Sequence, residues 1–111
     1  MKDDKIYIEH ILRGIDRINS YLEGKDYLFF SKDFLTQDAV IRQLEIIGEA
    51  ARHVSVELRD SNPGVSLSDM VGMRNILIHD YIDVDTDIIW KTVSKSLPEL
   101  QKMLETLNWH M

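Results

Sequence analysis

The stretch DAVIRQLEIIGEAARHVSVEL, residues 38–58, decides the fold class of this chain. Apolar residues recur along it at spacings of three and four, the pattern of one buried helical face, at Val40, Ile41, Leu44, Ile47, Ala51, Val54 and Leu58. The spacing predicts a helix that begins near Thr36 or Asp38 and ends near Leu58. Gly48 lies inside this helix, where glycine costs about 1 kcal/mol relative to alanine. Its small neighbours predict a notch that lets another helix approach closely.

The N-terminal part of the chain carries a similar apolar stripe. Residues 3–23 are predicted to form a helix, with Asp3 and Asp4 favouring its start and Gly24 its end. The next stretch, KDYLFFSKDFLTQD (residues 25–38), has no clear period and predicts an irregular segment. Its phenylalanines are expected to fold back onto the core: Phe29, Phe30 and Phe34.

A break follows at RDSNPGVS (residues 59–66), because Asn-Pro and Pro-Gly are strong turn signals. Ser66 is a candidate N-cap for a helix from Leu67 to about His79. The acidic stretch DYIDVDTD then interrupts the helical pattern.

A last helix is predicted from the apolar pattern between Ile88 and Leu107, capped by Asp85 or Thr86. Pro98 lies inside this pattern and predicts a kink or break near Ser96. No strand-like alternation, internal repeat or low-complexity tract is present. The sequence therefore predicts an all-α fold, an antiparallel four- to five-helix bundle in one domain over residues 1–111.

Composition limits the function. A chain of 111 residues with 44% hydrophobic residues can build one core, and it has no apolar run of the ~20 residues that span a bilayer. The absence of cysteine and of a signal peptide predicts a cytoplasmic protein without a membrane partner. The net charge of −6 argues against broad, tight RNA binding by a monomer. A small local cluster of cations can still act on a phosphate, particularly if two chains bring their clusters together.

The segment GMRNILIHDY (residues 72–81) collects the residues with chemical potential. On a helix Asn75 and His79 lie ~40° apart, and the long side chain of Arg74 can reach the same region. Tyr81 joins them only if the helix ends or bends near Asp80. The apolar triplet between these polar residues is expected to pack against the bundle and hold them rigidly.

These side chains suit cleavage of RNA by its own 2′-hydroxyl. Histidine can serve as proton donor or acceptor near neutral pH, and arginine offers a permanent cation matched to phosphate oxygens. Asn75 could orient the imidazole or donate to the phosphate, and the set requires no metal or cofactor. One chain supplies one such histidine, so a dimer with facing segments would supply both base and acid. The alternative is structural: Arg74 pairs with a carboxylate, while His79 and Tyr81 lie at the edge of the core.

Several segments together resemble one family. YLEG, DAVIRQLEIIGEAA, GMRNILIHDY followed by VDTDIIW, and SLPEL occur in the order and at the separations found in the HEPN superfamily, specifically its HepT-like ribonuclease toxins. The resemblance covers roughly residues 6–105. It implies a helical bundle that forms a homodimer, cleaves RNA without metal in a shared cleft, and is paired with a minimal nucleotidyltransferase antitoxin.

The resemblance also implies roles for individual residues. Arg74 and His79 match the catalytic pair of the family, and Asn75 its frequent polar neighbour. Tyr81 matches the tyrosine that the antitoxin modifies with adenylate, which silences the toxin. Asp80 stands where the family often has glycine, and its carboxylate would either repel RNA phosphate or hold His79 protonated. A second hypothesis is therefore a non-catalytic dimeric module that binds a nucleotidyltransferase or a nucleotide.

Two further patterns carry less weight. The polar row at Arg42, Glu45, Glu49 and His53 either faces the helix of residues 67–79 or is a solvated face with its own ion pairs. The stretch DVDTDI lacks the glycine and glutamate that a calcium loop needs, so it is interpreted as an acidic helix N-terminus. No metal site is predicted.

Overall fold

The computed structural model describes residues 2–65, 67–79 and 85–107, with the side chains of Lys2 and His79 excepted. Within these ranges the chain forms α-helices and no strand, which confirms the predicted all-α fold. The helices are α1 (Lys2–Leu22), α2 (Tyr27–Lys32), α3 (Phe34–Arg52), α4 (Val56–Ser61), α5 (Leu67–His79), α6 (Thr86–Lys91) and α7 (Leu97–Glu105), with a π-helical segment (Thr92–Ser96) between the last two.

Helix α3 is the centre of the bundle. Its most extensive contacts are with α5 on one side and α1 on the other, while α2 packs on α3 and α6, and α7 on α1. The core is a single cluster of mainly aliphatic side chains from these helices, and among the described aromatic residues Phe30 is the one that is fully buried. The apolar stripe of residues 38–58 faces this core as predicted, because Val40, Leu44 and Ile47 are fully buried.

The segment after α1 is helical, so the prediction of an irregular stretch is wrong. Asp26 caps α2 by accepting a hydrogen bond from the Phe29 amide at 2.9 Å. Asp33 caps α3 by accepting from the Thr36 amide at 3.0 Å, so α3 begins at Phe34. A helix as short as α2 does not show the apolar periodicity by which longer helices are predicted. In this stretch the helix starts are marked by the N-caps Asp26 and Asp33 instead. Only Phe30 folds onto the core; Phe29 and Phe34 are exposed, contrary to expectation.

The single helix predicted from residue 38 to Leu58 is in fact two helices. α3 ends at Arg52 and α4 begins at Val56, with Ser55 as its N-cap. Asp4 of α1 causes the break, because its carboxylate accepts hydrogen bonds from the Ser55 amide at 2.8 Å and from the Ser55 hydroxyl at 2.6 Å. The backbone at residue 55 is thereby held in an extended conformation that a continuous helix does not allow.

The last helix carries the irregularity predicted near Ser96. Pro98 has no N–H to bond the carbonyl four residues earlier, and its ring crowds that carbonyl. The chain widens into a π-turn over Thr92–Ser96, in which the Leu97 amide donates to the Thr92 carbonyl, and α7 then resumes. Asp85 caps α6, accepting from the Asp87 amide at 2.8 Å, which agrees with the interpretation of the acidic stretch as a helix N-terminus.

None of the described helices is long and apolar enough to cross a bilayer.

Candidate active site

Helix α5 reaches its position through Gly48 of α3. A Cβ built on Gly48 would lie 2.6 Å from the Met70 carbonyl oxygen and closer still to the Cβ of Arg74. Real Cβ atoms essentially never make such contacts, so the two helix backbones can approach this closely only because residue 48 is glycine. The predicted notch is confirmed, and its occupant is the turn of α5 that carries Arg74.

The Arg74 side chain is drawn back toward α3. Its Nε lies 3.1 Å from Glu49 Oε1, and its Nη1 donates to Asn75 Oδ1 at 3.0 Å. The side chain is 27% exposed, so the guanidinium remains accessible to solvent and to a ligand. Arg74 therefore pairs with a carboxylate, as the structural alternative required, and yet it lines an open cleft.

Glu49 contacts two arginines and a histidine. Its Oε2 accepts from Arg52 Nη2 at 3.2 Å and lies 2.9 Å from His53 Nε2. Hydrogen bonds from Arg52 and His53, followed by the positive charges of Arg52 and Arg74, lower the pKa of Glu49 below its ordinary value. The carboxylate is therefore ionised at neutral pH. Its Oε1 has no hydrogen-bond partner among the described residues, so the contact with Arg74 is a charge pair without hydrogen-bond alignment.

A cleft of about 300 Å³ opens beside this cluster. Its lining comes from α1, α3 and α5 and includes Tyr7, His10, Glu45, His53, Arg74 and Ile78. The Tyr7 ring stacks on His53, with ring centroids 5.1 Å apart and an angle of 19° between the planes. His10 meets the edge of Tyr7 at 6.2 Å.

Of the two histidines of the cleft, sequence reasoning placed His53 in the polar row and assigned no role to His10. His10 and His53 lie more than forty residues apart along the chain, and neither has a partner at a recognisable spacing. The only available signal was the polar row at residues 42, 45, 49 and 53. That row both forms its own ion pairs and faces α5, because Arg42 lies 3.7 Å from Glu45 while Glu49 contacts Arg74. The two interpretations of the row are therefore both correct in part.

The other predicted site residues are only partly described. Asn75 is exposed and adjoins Arg74, and His79 is the last residue of α5. The expectations for the His79 side chain, for Asp80 and for Tyr81 lie outside what is described, as does the predicted cap at Ser66.

The apolar triplet of α5 does not pack as predicted. Leu77 is fully buried, but Ile76 is 52% and Ile78 40% exposed. The reason is geometric, since consecutive residues of a helix point ~100° apart and only one of the three can face α3. Leu77 alone therefore fixes this part of the helix to the bundle, and two large aliphatic side chains are left at the surface beside Arg74 and Asn75.

The arrangement offers groups that can bind and polarise an anion. Among the residues that are described, no group of three or more His, Asp or Glu is placed to hold a metal ion. The guanidinium of Arg74 offers directional donors for a phosphate, and imidazoles with carboxylates nearby can relay protons. These groups suit acid–base chemistry at a phosphodiester.

Comparison with known proteins agrees with this chemistry. The family model described as "Ribonuclease HepT-like" matches residues 11–107. A Methanocaldococcus jannaschii protein named "Putative RNase MJ1380" is 38% identical over 104 residues, which cover 94% of this chain and 95% of the relative. The "Probable ribonuclease HepT" of Thermococcus cleftensis is 37% identical over 106 residues, covering 96% of both chains. The "mRNA nuclease HepT" of Shewanella oneidensis is 30% identical, covering 90% of this chain and 92% of the relative.

No solved structure gives a significant match to the chain. The helical bundle and the matches over nearly its whole length define the class as that of small helical ribonucleases. The chain belongs to the HepT-like ribonuclease family.

Proposed function

We propose that this chain is a metal-independent endoribonuclease toxin that acts as a homodimer in the cytoplasm. Arg74 and His79 carry the catalysis and Asn75 supports them. The observation that supports this most is the position of Arg74, which lines the cleft with its guanidinium oriented by Glu49 and Asn75. Membership of the HepT-like ribonuclease family supports the substrate class.

The proposed reaction is an in-line attack of a ribose 2′-hydroxyl on the adjacent phosphorus. One His79 accepts the 2′-hydroxyl proton, and His79 of the partner subunit protonates the leaving 5′-oxygen. The P–O5′ bond breaks as the P–O2′ bond forms, which gives a 2′,3′-cyclic phosphate and a free 5′-hydroxyl. Arg74 stabilises the additional negative charge on the non-bridging oxygens in the transition state.

The surface of α5 supports the homodimer. Ile78 is exposed on the side of α5 that carries Arg74, and Ile76 is exposed on the other side of Asn75, ~160° from Ile78 around the helix axis. The exposed surface of α5 therefore extends from Ile78 across Asn75 to Ile76. A second α5 packed against this surface would bury it and would bring two copies of the proposed site together. A dimer would also raise the local positive charge at the site, because two Arg74 side chains would then face one RNA strand.

Regulation is part of the proposal. A cognate minimal nucleotidyltransferase antitoxin would transfer adenylate from a nucleoside triphosphate to the Tyr81 hydroxyl, releasing pyrophosphate. The added phosphate and base would place negative charge and bulk two residues from His79, which would repel the RNA backbone.

The test compares the wild type with His79→Ala and Arg74→Ala, each expressed without a partner protein. We expect the wild type to stop growth and to cut RNA in the presence of EDTA, and both variants to be harmless. Light scattering should give the mass of a dimer at micromolar concentration. If all three proteins are equally harmless and RNA stays intact, the function is instead that of a non-catalytic binding module.

A further inference from the structure

Glu49 is not part of the motif that defines the proposed catalytic residues, yet it contacts the guanidinium on which they depend. It lies one residue after the glycine notch, on the turn of α3 that faces Arg74. Its two carboxylate oxygens have separate partners: Oε1 faces Arg74 Nε, and Oε2 is held by Arg52 and His53.

We infer that Glu49 is a positioning residue for Arg74, which orients the guanidinium for the phosphate of a bound RNA. The inference rests on the ribonuclease function proposed above. A guanidinium has five N–H donors. Among the described contacts, one Nη1 donor bonds Asn75, while Nε lies 3.1 Å from Glu49 Oε1 without hydrogen-bond alignment. Both Nη2 donors and the second Nη1 donor are left for a phosphate.

The geometry of the Glu49–Arg74 contact suits this role. The distance of 3.1 Å keeps the charges close, but Oε1 makes no hydrogen bond within the described part of the chain. Arg74 is therefore held by charge rather than by a bidentate pair, which would have occupied the paired donors that a phosphate needs. The contact with Glu49 restricts the long Arg74 side chain before RNA binds. The entropy cost of ordering this side chain during binding or catalysis is therefore smaller.

Glu49 can hold Arg74 only if its own carboxylate is fixed. His53 fixes it at Oε2 over 2.9 Å, and the His53 ring is itself stacked on Tyr7 of α1. A continuous series of contacts thus runs from α1 through α3 to α5, by way of Tyr7, His53, Glu49 and Arg74. It connects the wall of the cleft with the cation that the proposed chemistry uses.

A purely structural role would have different consequences. If Glu49 only tied α3 to α5, its loss would lower stability and leave the turnover of the folded protein unchanged. A positioning role predicts the reverse, because an arginine that adopts several orientations loses transition-state stabilisation while the bundle remains folded by its aliphatic core.

The experiment compares Glu49→Gln and Glu49→Ala with Glu57→Gln, a matched control at an exposed position on α4 outside the cleft. Three quantities are measured on the full chain: kcat and KM on a labelled oligoribonucleotide, the thermal unfolding midpoint, and the NMR resonance of the Arg74 Nε–H. We expect kcat to fall on the order of 10- to 100-fold in both Glu49 variants, with alanine the more severe. The Arg74 resonance should shift and exchange faster, and Glu57→Gln should match the wild type.

The outcomes separate the two proposals. An active wild type matched in kcat by Glu49→Gln and Glu49→Ala, or an Arg74 Nε–H resonance unchanged by either variant, would overturn the role of Glu49 alone. A wild type that leaves RNA intact would overturn the proposed function, and the positioning of Arg74 for RNA phosphate would fall with it.

Discussion

Gly48 and Arg74 face each other across the contact between α3 and α5, so closely that a single methyl group at residue 48 would overlap the Cβ of Arg74. The same methyl group would stand 2.6 Å from the Met70 carbonyl oxygen, which belongs to the backbone and cannot rotate away. The spacing of the two helices, and with it the position of the guanidinium, therefore depends on a residue that has no side chain.

Gly48→Ala is expected to lower the free energy of unfolding by about 1–3 kcal/mol, because α5 must move to admit the methyl group. This net loss already includes the ~1 kcal/mol that alanine gains over glycine in a helix interior. Urea denaturation followed by circular dichroism measures the change. RNA cleavage by the folded fraction should fall as well, since Arg74 is displaced together with its helix turn.

Gly72→Ala provides the matched control. Gly72 lies inside α5, and a Cβ at this position meets no atom of the described residues within 4 Å. Here we expect only the helix-propensity gain, a rise of about 0.5–1 kcal/mol in the free energy of unfolding. Equal effects of the two substitutions would contradict the close approach at Gly48.

Asp4→Ala is expected to destabilise the protein by about 1–3 kcal/mol, because it leaves the Ser55 amide without its hydrogen-bond acceptor. Asp4 is 2% exposed and ties the start of α1 to the break between α3 and α4. The neighbouring Asp3→Ala should change stability by less than ~0.5 kcal/mol, since Asp3 is exposed. Chemical denaturation of both variants measures the change in the free energy of unfolding. A comparable loss of stability in Asp3→Ala would contradict the role of the Asp4–Ser55 hydrogen bonds.

Asp33 predicts a pH dependence of stability. Hydrogen bonds from the Thr36 hydroxyl, and then from its amide, lower the pKa of Asp33 below its ordinary value of 3.8. A depressed pKa in the folded state means that the stabilisation is present above pH 3.8 and is lost as the pH falls through the folded value. The thermal midpoint of the wild type should therefore exceed that of Asp33→Asn near neutral pH, and the difference should shrink in acid. If the difference in thermal midpoint between the two proteins stays constant from pH 7 to pH 2, the ionised Asp33 cap does not stabilise the fold as proposed.

Ile76→Glu is expected to dissociate the proposed homodimer, because it places a carboxylate in surface that the dimer would bury. Val56→Glu is the control, since Val56 is also a large exposed aliphatic residue, 66% exposed, but lies on α4. Light scattering over a range of concentrations should show a monomer for the first variant and a dimer for the second. If both variants remain dimers, α5 is not part of the dimer interface.

Signals that are local in sequence predicted the fold best. The bounds of α5, the cap at Asp85, the irregularity before Pro98 and the notch at Gly48 all follow from neighbouring residues. The break at Ser55 could not be predicted in this way, because its cause is Asp4, fifty-one residues earlier. Within residues 53–58 the apolar period continues without interruption, so a tertiary hydrogen bond overrides a valid local pattern.

The same distinction between local signals and tertiary contacts applies to the candidate site. Arg74 and Asn75 could be selected from one segment, because chemistry and spacing coincide there. Tyr7 and His10 enter the cleft only through the packing of α1 against α3, which no spacing in the sequence reveals, whereas the spacing of the polar row did include His53. Glu49 was placed in the polar row that one interpretation turned toward the helix of residues 67–79, but its contact with Arg74 in particular depends on the approach of the two helices at Gly48.

The wide turn at Thr92–Ser96 has a consequence for how this chain can vary. α6 packs on α2 and α7 on α1, and the turn sets the rotation of one relative to the other. The wide turn holds one residue more than a regular α-helical turn. Deleting a residue would therefore either force a regular turn in front of Pro98 or rotate the buried leucines of α7 away from the core. Ser94, Lys95 and Ser96 are exposed, so other residues can replace them at little cost. The number of residues in the turn is constrained, because it sets the rotation of α7. Natural variation here should consist of substitutions, and length changes should be rare.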